Sequence, residues 1–174
     1  MTSKAQAILT FHGGAGAVTG ANFLLEIKPL TPAGRAVRVL IECCLYQGGK
    51  IFEDQNHNPF PYDPATIDYL FITHAHLDHV GRIPSLVRQG FRGTIYSTPP
   101  TKEIAALILE DSLGIMGKEA KGSGQPPLYE SADITAALAR WQTLEYYAPF
   151  PLDDSGATLI SHDAGHILGS TMYE

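Results

Sequence analysis

Three imidazoles and one carboxylate lie within six consecutive residues, His74-Ala75-His76-Leu77-Asp78-His79. Side chains two apart share a face of an extended chain, so His74 and His76 can reach one metal ion together. Asp78 and His79 follow in the turn beyond and can begin a second site. Imidazole with carboxylate ligation favours zinc first, with iron and manganese as alternatives.

A structural role is the competing explanation for these histidines, since a single histidine on an apolar segment is usually a hydrogen-bonded core residue. Burying three imidazoles and a carboxylate together without an ion would leave several polar groups without partners, at about 1–3 kcal/mol for each. The cluster as a whole therefore predicts a metal site. Because the motif lacks cysteine, a closed structural zinc site is disfavoured.

The segments on either side indicate how the cluster is positioned. Residues 67–73 are apolar, β-branched and aromatic, which predicts a buried strand that delivers the motif at its carboxyl end. Gly81 suits a tight turn, and Pro84 suits the first turn of a short helix that continues through Arg88. The order strand, ligand loop and helix is expected.

Residues 73–81 (THAHLDHVG) resemble the metal-binding signature of the metallo-β-lactamase fold. Residues 11–23 (FHGGAGAVTGANF) and 39–49 (VLIECCLYQGG) resemble the β-CASP branch of that superfamily, whose members cut RNA and DNA. That branch usually has Asp followed by Cys-Gly where this chain has Glu42, Cys43 and Cys44. The resemblance implies that the carboxylate supports the site from behind the ligands, so the longer Glu42 is expected to shift its hydrogen bonds.

Residues 163–170 (DAGHILGS) resemble the next metal-binding motif of the same family. The resemblance implies an α/β fold, a metallo-β-lactamase-like αββα sandwich truncated to its N-terminal part. It also implies that His166 joins His74 and His76 on one metal ion, while Asp78 and His79 hold a second. Asp78 would in addition orient the water that attacks the substrate.

The family's remaining ligands are expected beyond His166: an Asp that bridges the two metals, and a distal His. No Asp or His follows His166 before Glu174. We therefore expect residues 1–174 to be the N-terminal part of a longer protein, without the β-CASP insertion and the C-terminal remainder. The parent would bind two zinc ions, whereas this chain would bind one or none and would be inactive alone.

The composition agrees with one compact unit. The chain has 174 residues, of which 44% are hydrophobic, enough to bury a single core. It contains no apolar stretch long enough to span a membrane and no signal-peptide core, which favours the cytoplasm. The adjacent Cys43 and Cys44 could form a disulfide only with strain, so two buried thiols are predicted.

The family resemblance predicts a metal-dependent nuclease that cleaves RNA. A net charge of −6 argues mildly against general nucleic-acid affinity. Basic residues do follow the ligand loop, where they either bind nucleic acid or form ordinary surface: Arg82, Arg88, Arg92 and Lys102. The alternatives are a small-molecule ester, thioester or lactam hydrolase and a non-catalytic scaffold subunit. Truncation would expose an apolar sheet face, through which the fragment could self-associate.

Periodicity gives a coarse map of the other elements. Strands are predicted at residues 7–11, 22–27, 37–42, 93–97, 143–147 and 158–161. Helices are predicted at residues 102–116 and 131–140. Residues 46–64 are expected to form a loop that exposes His57, the remaining candidate ligand, and residues 118–127 are expected to be mobile.

Overall fold

The computed structural model describes residues 6–16, 19–29, 34–49, 53–152 and 155–174, with the side chains of residues 121–123 left aside. The strands are β1 Ala7–Gly13, β2 Asn22–Ile27, β3 Val37–Ile41, β4 Tyr69–Phe71, β5 Thr94–Ser97, β6 Trp141–Thr143, β7 Phe150–Pro151, β8 Thr158–Leu159, β9 Ser161–Asp163 and β10 Thr171–Tyr173. The helices are α1 Leu77–Val80, α2 Ile83–Arg88, α3 Pro99–Ser123 and α4 Ser131–Ala139, with 3-10 turns at Asp54–His57 and Pro64–Thr66. None of the described helices is both long and apolar enough to cross a membrane.

Strands β1 to β6 form one sheet in sequence order. The pairs β1–β2 and β2–β3 are antiparallel, and β3, β4, β5 and β6 are parallel to one another. Parallel neighbours need crossover connections. The β4–β5 connection contains α1 and α2, the β5–β6 connection contains α3 and α4, and the β3–β4 connection contains the two 3-10 turns. The carboxyl ends of β3, β4 and β5 therefore meet at one edge of the sheet, and the ligand loop begins there.

The sheet packs on both faces in its parallel half. Leu40, Leu70 and Ile95 are fully buried beneath the helices. On the opposite face, Phe71 and Tyr96 lie with ring centroids 5.5 Å apart, covered by side chains from the short hairpins. Burial on both faces explains why residues 67–73 are almost continuously apolar. The predicted α/β class is confirmed.

Helix α3 extends further than the sequence indicated. The prediction that it stops near Met116 and that residues 118–127 are mobile is wrong for residues 118–123, which continue the helix. The helix ends at Gly124, which has a left-handed φ of 73° and donates its amide to Ala120 O at 2.9 Å. A left-handed glycine is a common helix C-terminus. Gly122 and the two lysines within the segment are tolerated inside a long helix.

The predicted strand at residues 143–147 is also wrong, because β6 begins at Trp141 and ends at Thr143. Trp141 is buried and donates its Nε1–H to Ser97 Oγ at 2.8 Å, which fixes the register of β6, the last strand of the sheet, against β5. The chain then leaves the sheet, and Tyr147 adopts a left-handed φ of 62°. The strand expected at residues 158–161 divides into β8 and β9, and the short strands β7 and β10 were missed.

Candidate metal centre

The ligand loop follows β4 in the chain. The main chain is extended up to His76, and α1 begins at Leu77. Val80 N donates to His76 O at 3.0 Å and thereby closes the turn. Ala75 and Val80 are fully buried, so the loop turns their side chains into the core and the histidines toward the sheet edge.

Three of the predicted ligands converge. His74 Nε2 lies 3.1 Å from His76 Nδ1, and His166 Nε2 lies 3.3 Å from the same atom. One ligand nitrogen from each of these histidines falls within 4.8 Å of the others. His74 is 9% exposed, whereas His166 is exposed, so the cluster is anchored inside and open at the surface.

Two of these spacings match those around a tetrahedral metal ion. Zinc–nitrogen bonds of about 2.0–2.1 Å in tetrahedral geometry place two nitrogens about 3.3–3.4 Å apart. The two short separations in the cluster are close to that value. Three histidines leave a fourth position for water, which is the arrangement of a catalytic rather than a closed structural site.

The protonation of His74 suits ligation. Burial, together with the neighbouring imidazoles of His79, His76 and His166, lowers the pKa of His74 to about 4. The neutral ring can therefore offer a lone pair at neutral pH. Thr73 Oγ1 lies 2.8 Å from His74 Nδ1 and fixes the other side of the ring.

Glu42 supports the ligand loop from beneath. Its side chain accepts a hydrogen bond from Thr73 N at 3.0 Å, and its second oxygen lies 3.3 Å from His79 Nδ1 without the alignment of a full hydrogen bond. The residue is 2% exposed and has a left-handed φ of 65°, so it lies outside β3 although the sequence placed it at the end of that strand. This backbone turn places the Glu42 side chain behind the ligand loop.

Asp78 and His79 form a second, looser group. His79 Nε2 lies 3.7 Å from Asp78 Oδ2, and the rings of His79 and His74 have centroids 3.9 Å apart. Burial lowers the pKa of His79, but the nearby carboxylates of Glu42 and Asp78 outweigh it and raise that pKa. Within the described residues, Asp78 and His79 lie beside the three-histidine cluster but are not part of it.

Hydrogen bonds to its main-chain groups hold the loop that carries His166. Ser170 Oγ accepts hydrogen bonds from His166 N at 3.0 Å and from Ile167 N at 3.2 Å. Thr171 N donates to Thr73 O at 2.8 Å and ties the loop to the end of β4. Tyr146 OH donates to Ser170 O at 2.9 Å. Nothing in the sequence around Tyr146 signals this role, because the contact joins residues 24 positions apart.

The basic residues after the ligand loop have partners inside the protein, which favours their interpretation as structural residues. Arg82 is 5% exposed and stacks on Phe60 at 4.2 Å. The four contacts are Arg82 with Asn58 O at 2.6 Å, Arg88 with Asp133 at 3.6 Å, Arg92 with Phe91 O at 2.9 Å and Lys102 with Trp141 O at 2.6 Å.

The remaining candidates lie outside the cluster. Cys43 and Cys44 are both buried and unbridged, in agreement with the prediction of two buried thiols. His57 is exposed in the loop before β4 and is not among the described residues that could share an ion.

Residues 34–174 match the Metallo-beta-lactamase superfamily domain. The chain belongs to the metallo-beta-lactamase superfamily. The match begins before β3 and includes every predicted ligand, so the resemblance seen in the sequence motifs is confirmed.

Curated relatives in the superfamily come from bacteria, archaea and yeast. The chain is 39% identical over 158 residues to Ribonuclease TTHA0252 of Thermus thermophilus, covering 91% of this chain and 32% of the relative. It is 35% identical over 177 residues to Transcription termination factor FttA of Methanosarcina mazei, covering 98% of the chain and 25% of the relative. It is 34% identical over 113 residues to Endoribonuclease YSH1 of Yarrowia lipolytica, covering 64% of the chain and 13% of the relative. The chain thus spans about a third or less of the length of these relatives.

Among solved structures, rubredoxin oxygen:oxidoreductase from Desulfovibrio gigas matches 95% of the chain and 30% of its own length. The TM-score is 0.54 and the identity 14%. At this identity the likeness establishes the fold of the superfamily.

Proposed function

We propose that this chain carries part of the active site of a metal-dependent nuclease that cleaves RNA. The observation that carries the proposal is the convergence of His74, His76 and His166 within 4.8 Å. Relatives named as ribonuclease and endoribonuclease support the choice of RNA as substrate. The spacing and the all-nitrogen donor set favour zinc.

Different residues of the chain would bind the metal and orient the water. His74, His76 and His166 would hold the ion, which when bound lowers the pKa of a coordinated water and stabilises negative charge on a phosphodiester. The Asp78 carboxylate, with 27% of its side chain exposed, would accept a hydrogen bond from the attacking water and orient it. Asp78 and His79 would also contribute to a second metal position, which two ligands alone leave incomplete.

Glu42 would keep His79 in place. Its carboxylate is buried and faces His79 Nδ1, which leaves Nε2 as the nitrogen directed toward Asp78. A buried carboxylate behind a ligand histidine fixes both the orientation of the ring and its tautomer.

The proposal is tested on the longest gene product that contains this chain. The purified protein should cleave a single-stranded RNA, and His76→Ala should abolish cleavage, because one of three converging ligands is lost. His57→Ala, which removes an exposed histidine outside the cluster, is the matched control. RNA cleavage at the normal rate by His76→Ala would refute the proposal.

Self-association of the isolated chain stays a prediction. Strand β1 supports it, since Ile8, Leu9 and Phe11 are 43%, 46% and 57% exposed on a strand without charged residues. Uncharged edge strands are prone to pair with other chains. A monomeric elution profile at micromolar concentration would contradict this prediction.

A further inference from the structure

Two threonine hydroxyls at the start of α3 contact one carbonyl in the His166 loop. Thr98 Oγ1 lies 2.5 Å and Thr101 Oγ1 2.9 Å from Gly169 O, and the two hydroxyl oxygens are 3.0 Å apart. Thr98 is 1% exposed and Thr101 is fully buried. A carbonyl oxygen has two lone pairs, so both hydroxyls can donate to it simultaneously.

Thr98 occupies the N-cap position of α3 without acting as a cap. An N-cap threonine normally accepts a hydrogen bond from an amide of the first turn, but its side chain makes no such bond here. Pro99 and Pro100 follow, and neither has an amide hydrogen to donate. The Thr98 hydroxyl is therefore available to donate away from the helix, toward the metal loop.

The position of the Gly169 carbonyl favours the same arrangement. Gly169 has a left-handed φ of 85°, and a Cβ placed there would lie 2.8 Å from Thr101 N. The loop thus approaches the amino end of a 25-residue helix as closely as a residue without a side chain allows. The partial positive charge at that end of the helix attracts a carbonyl oxygen.

A short chain of contacts joins these hydroxyls to the ligand. Gly169 is followed by Ser170, whose Oγ accepts the His166 amide at 3.0 Å and whose carbonyl accepts Tyr146 OH at 2.9 Å. The His166 ring is exposed, so these polar contacts to its loop determine where the ring stands.

We propose that Thr98 and Thr101 are positioning residues for His166, and that they set the distance between its imidazole and those of His74 and His76. The inference rests on the proposed metal site. Loss of the two hydroxyls leaves the ligands in place but loosens the loop, so the zinc dissociation constant should rise about 10- to 100-fold, as when other supports of metal ligands are removed.

The test compares the double variant Thr98→Val with Thr101→Val, which preserves side-chain shape, with the unaltered chain. The matched control is Ser85→Ala, because Ser85 is 3% exposed and donates to Leu128 O at 3.1 Å, away from the metal loop. Zinc affinity is measured by competition with a chromophoric chelator. Amide hydrogen exchange of the metal-free chain is measured at His166 and Ile167.

The expected result is weaker zinc binding and faster exchange at both amides in the double variant, with neither change in Ser85→Ala. Thr98→Ser with Thr101→Ser, which restores the hydroxyls, should return both quantities to near the original values. If the double valine variant does not fold, Tyr146→Phe removes one hydroxyl that donates to the same loop and should weaken zinc binding several-fold in the same direction.

Two results would overturn the inference and are distinguishable from each other. Zinc binding by the unaltered chain, with equal affinity and equal exchange in the variants that lack hydroxyls, would exclude positioning while leaving the metal site intact. Absence of zinc binding in the unaltered form of the longest gene product that contains this chain would refute the proposed metal site, and the positioning role with it.

Discussion

The metal centre has two arms that the protein holds by different means. The first arm, residues 73–81, is anchored in the core by Ile72, Ala75 and Val80, each fully buried. The second arm, residues 163–170, carries the exposed His166 and Leu168, the latter 73% exposed, and is held by hydrogen bonds. Apolar burial holds the first arm as part of the folded core, whereas hydrogen bonds hold the second arm in place. Mutations can therefore change the free energy of unfolding and the metal affinity separately.

The largest effect is expected where an arm meets the core. Ile72→Ala removes fully buried side-chain volume beneath the first arm and should lower the free energy of unfolding by about 2–5 kcal/mol. Leu168→Ala, on the second arm, should change it by at most about 0.5 kcal/mol. Denaturant unfolding measures both, and equal losses would contradict the difference between the arms.

Loss of a ligand should affect both arms equally. His76→Ala and His166→Ala should each weaken zinc binding by more than the roughly 10- to 100-fold typical of a lost supporting residue, with little change in unfolding of the metal-free chain. Elemental analysis of the purified protein should find about one zinc per chain in the unaltered protein and none in either variant. His57→Ala should retain the metal; a variant of either ligand that kept full occupancy would break the three-histidine assignment.

Glu42 tests how the first arm depends on its buried support. Glu42→Leu removes the acceptor of the Thr73 amide and the partner of His79, at a cost of about 1–3 kcal/mol. Glu42→Gln keeps an oxygen for Thr73 N and should recover part of that loss. Thermal or denaturant unfolding of the metal-free variants checks this order, and identical stability of Gln and Leu would show that the amide contact contributes nothing.

Two glycines sharpen the comparison within the second arm. Gly165 and Gly169 both have positive φ, but a Cβ at Gly165 would meet open space, whereas one at Gly169 would collide with Thr101. Gly165→Ala should cost about 1–2 kcal/mol from its backbone conformation alone. Gly169→Ala should cost more and also weaken zinc binding. Equal zinc affinities of the two variants would count against a tight contact between the loop and α3.

The sequence predicted the first arm better than the second. Its ligands are adjacent and follow an apolar strand, so local spacing was enough to identify His74 and His76. His166 was identified by resemblance to a motif, whereas its supports, Thr98 and Thr101, come from a helix about 70 residues earlier. Contacts of that kind depend on how α3 packs and leave no periodic signal.

The errors in the fold prediction have a similar origin. The low helix propensity of Gly122 in residues 118–123 matters little once a long helix is already formed. The end of α3 is set by Gly124. Strands of two or three residues, such as β7 and β10, are too short for an alternating pattern. Their existence follows from pairing with β8 and β9 in the folded chain.

The two cysteines beside Glu42 give the protein an internal reporter. Burial raises the pKa of Cys43 to about 12 and also raises that of Cys44, while thiols in an unfolded chain have a pKa of about 8.5 and react as thiolates. Cys43 N donates to His79 O, and Cys43 O accepts from Arg82 N, so exposing this thiol requires the first arm to detach. The rate of Cys43 alkylation at mild pH should therefore report how often the ligand loop opens, and bound metal should slow it.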